Sequence, residues 1–366
     1  MKRATHIAAG AAAIFVSAAL LAGSAAACST FLLRDGTRMV LGKNFDMMVR
    51  EGMLMTNQRK VSKVALLGPG QNPAQWVSKY GSITFNQVSK EYPFGGINEA
   101  GLIVEILWLE STGYPDPDSR SVVPELQWIQ YQLDNCASVE EVIGTDGSIR
   151  IEATGKPVHF LVADKAGDVA TIEFIGGELV CHRDKTLPIP ALTNNTCDES
   201  MSFLKEHKGF GGRKPIVTTY ESLDRFATVA KMLHKRVRDP QTLVQRAFEI
   251  LDKVAQGEGT VWTIVYDMDK RTIHFKNVTN RSIRTVRLDA FDFDCTAQPG
   301  VLDVEAPLAG DVSASFEPYS TDGNRKLVKH TFTRYRELEF MSLPENAQEY
   351  LARYPEKLEC RQGGGI

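Results

Sequence analysis

Apolar and polar positions along this chain change rhythm in blocks. Ser29 to Leu33 and Met39 to Phe45 are β-prone and are joined by Arg34-Asp35-Gly36-Thr37, the pattern of a hairpin. Ser82 to Phe85 and Leu102 to Leu109 read as further strands. The second is Leu-Ile-Val-Glu-Ile-Leu-Trp-Leu, almost continuously apolar, as expected of a strand covered on both faces. Helical spacing follows over Pro124 to Leu133, where Leu126, Ile129 and Leu133 share a face and Trp128 reads as core. Ser138 with Glu141 three residues on predicts a capped second helix.

The middle of the chain returns to strands at Val158 to Ala163, Val169 to Phe174 and Glu178 to Cys181, separated by Lys165-Ala166-Gly167 and Gly176-Gly177. Ser222 to Val237 and Gln241 to Ala255 read as helices with a stop and restart at Asp239-Pro240. Thr260 to Tyr266 and Thr272 to Phe275 form a hairpin around Asp267-Met268-Asp269-Lys270, and Ile283 to Leu288 is another strand. Thr296 to about Asn324 is rich in Pro, Ser, Gly and Asp and reads as a surface wrap. A last helix spans Pro344 to Arg353, and the tail Gly363-Gly364-Gly365 reads as disordered. There is no internal repeat. Strands and helices come in groups rather than in strict alternation, which argues against a doubly wound parallel sheet. The expected class is α+β, with mainly antiparallel sheets flanked by helix pairs. The expected organisation is a segment 1–27, then one domain 28–366 with a C-terminal surface extension from about 296.

The opening segment changes the picture. Lys2 and Arg3 precede an Ala-rich apolar stretch from Ile7 to Ala22, and Ala25-Ala26-Ala27 stand before Cys28. That is the pattern of a cleavable secretory signal, and it predicts a periplasmic or secreted protein. Cutting after Ala27 would give Cys28 a free α-amine as well as a thiol. The thiolate is a nucleophile, and an α-amine with a pKa near ~7.7–8.0 suits a base at neutral pH. Two other readings stay open, a lipoprotein acylated at Cys28 and a structural cysteine. Lipoprotein sites usually place a large aliphatic residue where Ala25 stands. No later run approaches the ~20 apolar residues of a membrane span.

Composition then narrows the classes. A formal net charge of -3 gives no electrostatic case for nucleic acid or an anionic membrane surface. The cysteines are Cys28, Cys136, Cys181, Cys197, Cys295 and Cys360, without C-x-x-C spacing. Cys295 with Cys360 would tie the tail to the body, a pairing that sequence does not fix. The seven histidines show no metal-binding spacing, and His159 and His274 read as packed or surface residues. No cofactor or metal is expected. There is no G-x-S-x-G elbow and no phosphate-binding G-x-x-x-x-G-K-[ST] loop. Gly209 to Gly212 reads as a connector.

Gly42-Lys43-Asn44-Phe45-Asp46 ends the second strand. In simple hairpin register that end returns beside Cys28, where Asp46 would accept hydrogen bonds from the amine and Lys43 would supply positive charge. The competing readings are a strand-end turn residue and a solvated lysine.

With these residues the chain resembles the choloylglycine hydrolase and penicillin V acylase family, N-terminal nucleophile hydrolases of linear amides. The resemblance runs through Cys28-Ser29-Thr30, Gly42-Lys43-Asn44-Phe45-Asp46, Gly96-Ile97-Asn98-Glu99-Ala100-Gly101-Leu102, Leu192-Thr193-Asn194-Asn195, Asp224-Arg225-Phe226 and Trp262-Thr263-Ile264-Val265-Tyr266-Asp267, in the family's order. It implies a four-layer αββα sandwich. It implies Cys28 as nucleophile, Asp46 orienting the amine, Asn194 in the oxyanion hole and Arg225 as electrostatic support, with Lys43 where the family usually has arginine. Asn195 would shape the loop and Asn98 a turn. Trp108 and Met47 would bind substrate, a small N-acyl amide such as penicillin V, an N-acyl homoserine lactone or a conjugated bile salt. An oligomer, often a tetramer in the family, is implied too. Lys43 keeps the charge but loses the planar fork of arginine. The alternative function is a lipid-anchored, non-catalytic binding protein on the same fold.

Overall fold

The computed structural model describes residues 27–68, 70–234 and 243–361. The signal-like segment before Ala27, the Asp239-Pro240 junction and the glycine tail lie outside the described residues. The first hairpin pairs β1 (Ser29–Asp35) with β2 (Arg38–Asp46) from Ser29 opposite Asn44 to Asp35 opposite Arg38, turning at Gly36 with φ +62°. β2 pairs on its other edge with Thr260–Asp267, and Thr272–Asn277, Arg284–Arg287 and Gly310–Asp311 continue this seven-stranded sheet, closed at its far edge by Ala191–Leu192. The second sheet has nine strands. Its centre runs from Glu178–Arg183 through Val169–Ile175, Val158–Ala163, Ile103–Trp108, Gly95–Asn98 and Ser82–Asn86 to Met53–Asn57.

Side-chain alternation stacks the layers. Leu32, Leu41, Ile264 and Phe275 of the first sheet meet Leu54, Phe85, Ile103 and Leu161 of the second in one core. The outer face of the nine-stranded sheet presents Val104, Ile106, Phe160 and Ile172 to α1 (Glu125–Asn135) and α2 (Val139–Gly144). The outer face of the seven-stranded sheet presents Phe31, Leu33 and Val265 to a helix layer of α3 (Cys197–Lys205), α4 (Ser222–Leu233) and α5 (Leu243–Lys253). The result is the expected αββα sandwich. Trp128 is 2% exposed in the second core. Ser138 caps α2, and Glu141 reaches back to the Ala137 amide rather than to Ser138.

The C-terminal part departs from expectation. The stretch read as a surface wrap adds Gly300–Asp303 to the nine-stranded sheet, paired with Met53–Asn57. It then enters α6 (Thr321–Glu337), a helix of 17 residues that sequence reasoning missed because its apolar face is narrow. α7 (Glu345–Arg353) follows. Val328, Phe332, Tyr335, Leu351 and Ala352 pack on Val49, Val88 and Tyr92 in a fourth core. Cys295 and Cys360 form a disulfide. Among the described residues no helix is long and apolar enough to cross a membrane, and no group of three or more His, Cys, Asp or Glu could hold a metal ion.

Candidate active site

Cys28 enters β1 with its side chain in the core between the sheets, 4% exposed. Hairpin register carries the end of β2 back past it, so Asp46 lies beside it in the wall of a cavity. The pairing of β2 with Thr260–Asp267 shifts register between Thr260 and Trp262. This irregularity places Thr260 opposite Asp46, and Thr260 Oγ1 donates to Asp46 Oδ1 across 2.5 Å. Asp46 Oδ2 is buried and has no hydrogen-bond partner among the described residues. Burial pushes the Asp46 carboxyl up to about 6, against the Thr260 hydrogen bond and the charges of Arg225 and Lys43. Gln256 Nε2 donates to the Ala27 carbonyl across 3.1 Å, holding the peptide that precedes Cys28.

Arg225 reaches the same place from α4 and is fully buried. Its Nη1 donates to the Cys28 carbonyl across 2.6 Å and to Ser29 Oγ across 2.5 Å; Nη2 donates to Asn194 Oδ1 across 2.8 Å, and Nε to the Tyr220 carbonyl. Asn194 Nδ2 in turn donates to the Trp108 carbonyl across 2.8 Å, and Ser222 Oγ accepts from the Asn194 backbone. The amide is thus fixed with its nitrogen toward β-strand Ile103–Trp108. Its oxygen faces the guanidinium.

Lys43 crosses the sandwich interior. Its ammonium lies 3.6 Å from Glu105 and donates to the Ile106 carbonyl. Tyr266 donates to Glu105 across 2.5 Å. Burial pushes Glu105 up to about 7, against the Lys43 charge and the Tyr266 hydrogen bond. Gly95 stands opposite Glu105, where any Cβ would overlap the carboxylate. Burial likewise pushes the Cys28 thiol up; the largest opposing influence is Lys43, joined by the Asp46 backbone amide and Arg225. Lys43 is therefore neither a solvated strand charge nor aimed at solvent.

Behind Asn194 sits His159, read from the sequence as a packed or surface residue, paired with Glu173. His159 Nδ1 lies 3.2 Å from Glu173, and Nε2 lies 2.8 Å from the Thr193 carbonyl. A carbonyl only accepts, so Nε2 carries a proton and donates to it. Glu173 also accepts from the Cys197 amide at the start of α3. The pair thus clamps both sides of the Thr193–Asn194 turn. Asn195 bonds to Glu199 within the α3 cap. Asn98 spends its side chain on the Leu133 and Cys136 carbonyls and the Ala100 and Leu102 amides.

The cavity has a volume of about 430 Å³, and its walls are chiefly apolar, with Phe45, Met47, Phe94, Ile106 and Trp108 in them beside Cys28 and Asp46 as lining residues. The Trp108 indole donates to Glu110 across 2.9 Å at the rim, while its ring lies against Phe340. The contribution of Trp108 to the Asn194 contact is therefore its carbonyl. Glu105, Tyr266, Thr260 and His159 were missed as site residues. The available signal for Glu105 was a lone charge inside an otherwise apolar strand.

Two stacked, mainly antiparallel sheets between helix layers, with a cysteine leading the first strand, define an N-terminal nucleophile hydrolase fold. The chain belongs to the choloylglycine hydrolase family of linear amide C–N hydrolases, which matches residues 28–299. Over 176 residues it is 31% identical to a penicillin V acylase of Pectobacterium atrosepticum, an alignment covering 43% of this chain. That alignment spans only 46% of the relative's length. A penicillin V acylase structure from Agrobacterium tumefaciens superposes with a TM-score of 0.71 at 23% identity, covering 80% of this chain and 98% of the other. A conjugated bile acid hydrolase from Clostridium perfringens gives 0.62 at 17% identity, covering 80% and 97%. At these identities the superpositions speak for fold alone.

Proposed function

We propose that this protein is an exported cysteine N-terminal nucleophile amidase, periplasmic or secreted, that hydrolyses the linear amide of an N-acyl compound through a thioester on Cys28. The observation that carries the reading is the unpartnered, buried Asp46 Oδ2 beside Cys28. A buried carboxylate oxygen without a partner is costly, and the ammonium freed by cleavage after Ala27 supplies the missing donor.

In this mechanism the Cys28 amine takes the thiol proton and Sγ attacks the amide carbonyl carbon. The oxyanion is held by an Asn194 Nδ2 hydrogen, one such donor commonly contributing about 3–4 kcal/mol. Collapse breaks the C–N bond as the amine's proton passes to the leaving nitrogen. Water, deprotonated by the same amine, then attacks the thioester, releasing the acid and restoring the thiol. Arg225 keeps Asn194 and the Cys28 backbone in place, and Lys43 favours the thiolate.

The apolar cavity suits an acyl group such as phenoxyacetyl or an alkyl chain better than a hydroxylated steroid. Penicillin V and N-acyl homoserine lactones are therefore placed ahead of conjugated bile salts. By family resemblance the working assembly is a homo-oligomer, which sedimentation would test. The burial of Cys28 speaks against a lipid anchor on its sulfur. The test is twofold. Intact mass of the exported protein should begin at an unmodified Cys28. The mature protein should hydrolyse N-acyl amides, while Cys28→Ala should be inert. A diacylated N-terminus, or full activity in the alanine variant, overturns the reading.

A further inference from the structure

The family match ends at residue 299, yet the cavity continues past it. Its far wall is made by Phe332 of α6, by Phe340, Met341 and Leu343 of the linker between α6 and α7, and by Ala347 and Leu351 of α7. This segment is fastened at several points. Thr331 Oγ1 donates to the Gln87 carbonyl and Tyr335 to Gln87 Oε1. Asn324 bonds to Ser89 and to the Ala352 carbonyl, and Tyr354 donates to the Val64 carbonyl. Glu359–Cys360 pairs with Val61–Val64 next to the Cys295–Cys360 disulfide.

The linker lines the cavity and meets Trp108 through a tilted ring contact of Phe340. Lys156 Nζ sits 5.3 Å from the Trp108 ring centroid and 5.0 Å from that of Phe340, and the two rings are 5.9 Å apart. No carboxylate lies within 4.0 Å of Lys156 among the described residues, so the two ring faces are its charge contacts. The Trp108 carbonyl is the acceptor that holds Asn194. The roof and the oxyanion donor are therefore two contacts apart.

We propose that the α6–α7 segment is the selectivity element of this enzyme, roofing a site for an extended aliphatic acyl chain. This rests on the amidase reading above. A short acyl group leaves most of the cavity unfilled, whereas each added methylene buries apolar surface against the roof. Burial at ~0.8 kcal/mol per methylene corresponds to a gain in kcat/KM of about fourfold per carbon until the far wall is met. The side chains of Leu343, Ala347 and Leu351 set where that limit falls.

The experiment is a chain-length series of N-acyl glycines, from acetyl to tetradecanoyl, hydrolysed by mature wild type, Leu343→Trp, Ala347→Phe and Phe340→Ala. The two filling variants should cut kcat/KM for the longest chains by about tenfold or more while leaving acetyl and butyryl substrates within about threefold. Phe340→Ala should weaken the long-chain preference by opening the roof. A chain-length profile unchanged in all three variants, or lowered equally at every length, overturns the proposal. Ala347→Phe lies on a half-buried helix position and serves if Leu343→Trp melts early. Should wild type hydrolyse neither these N-acyl glycines nor penicillin V nor an N-acyl homoserine lactone, the amidase reading fails separately. The roof is then read by binding of a fluorescent fatty acid to the Cys28→Ala protein, which Ala347→Phe must weaken.

Discussion

Arg225 donates to Asn194 Oδ1 across 2.8 Å, and this single contact decides which way round the Asn194 amide sits. With the oxygen held by a guanidinium, the nitrogen faces the Trp108 carbonyl. Asn194→Ala should therefore lower kcat by about 10²–10³-fold with little change in KM, as steady-state kinetics would read. Arg225→Lys should also lower kcat, since an ammonium cannot bridge the Cys28 carbonyl, Ser29 and Asn194 together.

Asp46 and Glu105 both hold protons more tightly in the folded, uncut chain than their ordinary values of 3.8 and 4.5 allow, at about 6 and about 7. The folded state then binds more protons than the unfolded one between these limits. Stability should fall as pH rises from about 4 to about 7. The contribution of Asp46 alone is up to about 3 kcal/mol. Asp46→Asn in uncleaved protein should reduce the fall of the melting temperature across that window, leaving the part due to Glu105. Cleaved protein should show a smaller slope than uncleaved protein, because the new ammonium holds Asp46 ionised.

The Lys43–Glu105 pair gives a signed prediction on the thiol. Neutralising Glu105 as Glu105→Gln leaves more of the Lys43 charge acting on Cys28, so the pH midpoint for alkylation by iodoacetamide should move down. Lys43→Met should move it up. Gly95→Ala displaces the Glu105 carboxylate and should lower both activity and thermal stability.

His159 acts on the site only through the turn it clamps. His159→Phe should lower kcat about tenfold while leaving the Cys28 alkylation midpoint in place. Equal loss of both would mean that the buried pair supports the fold rather than Asn194.

Many of the strands and helices from Ser29 to Arg287 were legible because their side-chain rhythm follows burial, whereas the short strands Met53–Asn57, Gly95–Asn98 and Ile149–Glu152 and the helix Cys197–Lys205 were not read. The Ile103–Trp108 strand, for example, is apolar on both faces because a core lies on each side of it. Cys28, Asp46, Asn194 and Arg225 were named from sequence as candidates in a recognisable order, and Arg225 contacts both Cys28 and Asn194 in the fold. α6 was not, since most of its surface faces water and its polar sequence carries little periodic signal.

Sequence alone determined the hairpin that returns Asp46 to Cys28, because antiparallel pairing is set by turn length and alternation. Only the tertiary structure decided the rest of the site. Lys43 finds Glu105 on the opposite sheet, His159 finds Thr193, and Phe340 finds Trp108 from beyond the family match. These contacts join residues 34–232 positions apart in the chain. No local pattern encodes them, because they exist only once two sheets stack and a C-terminal segment folds back over the space between.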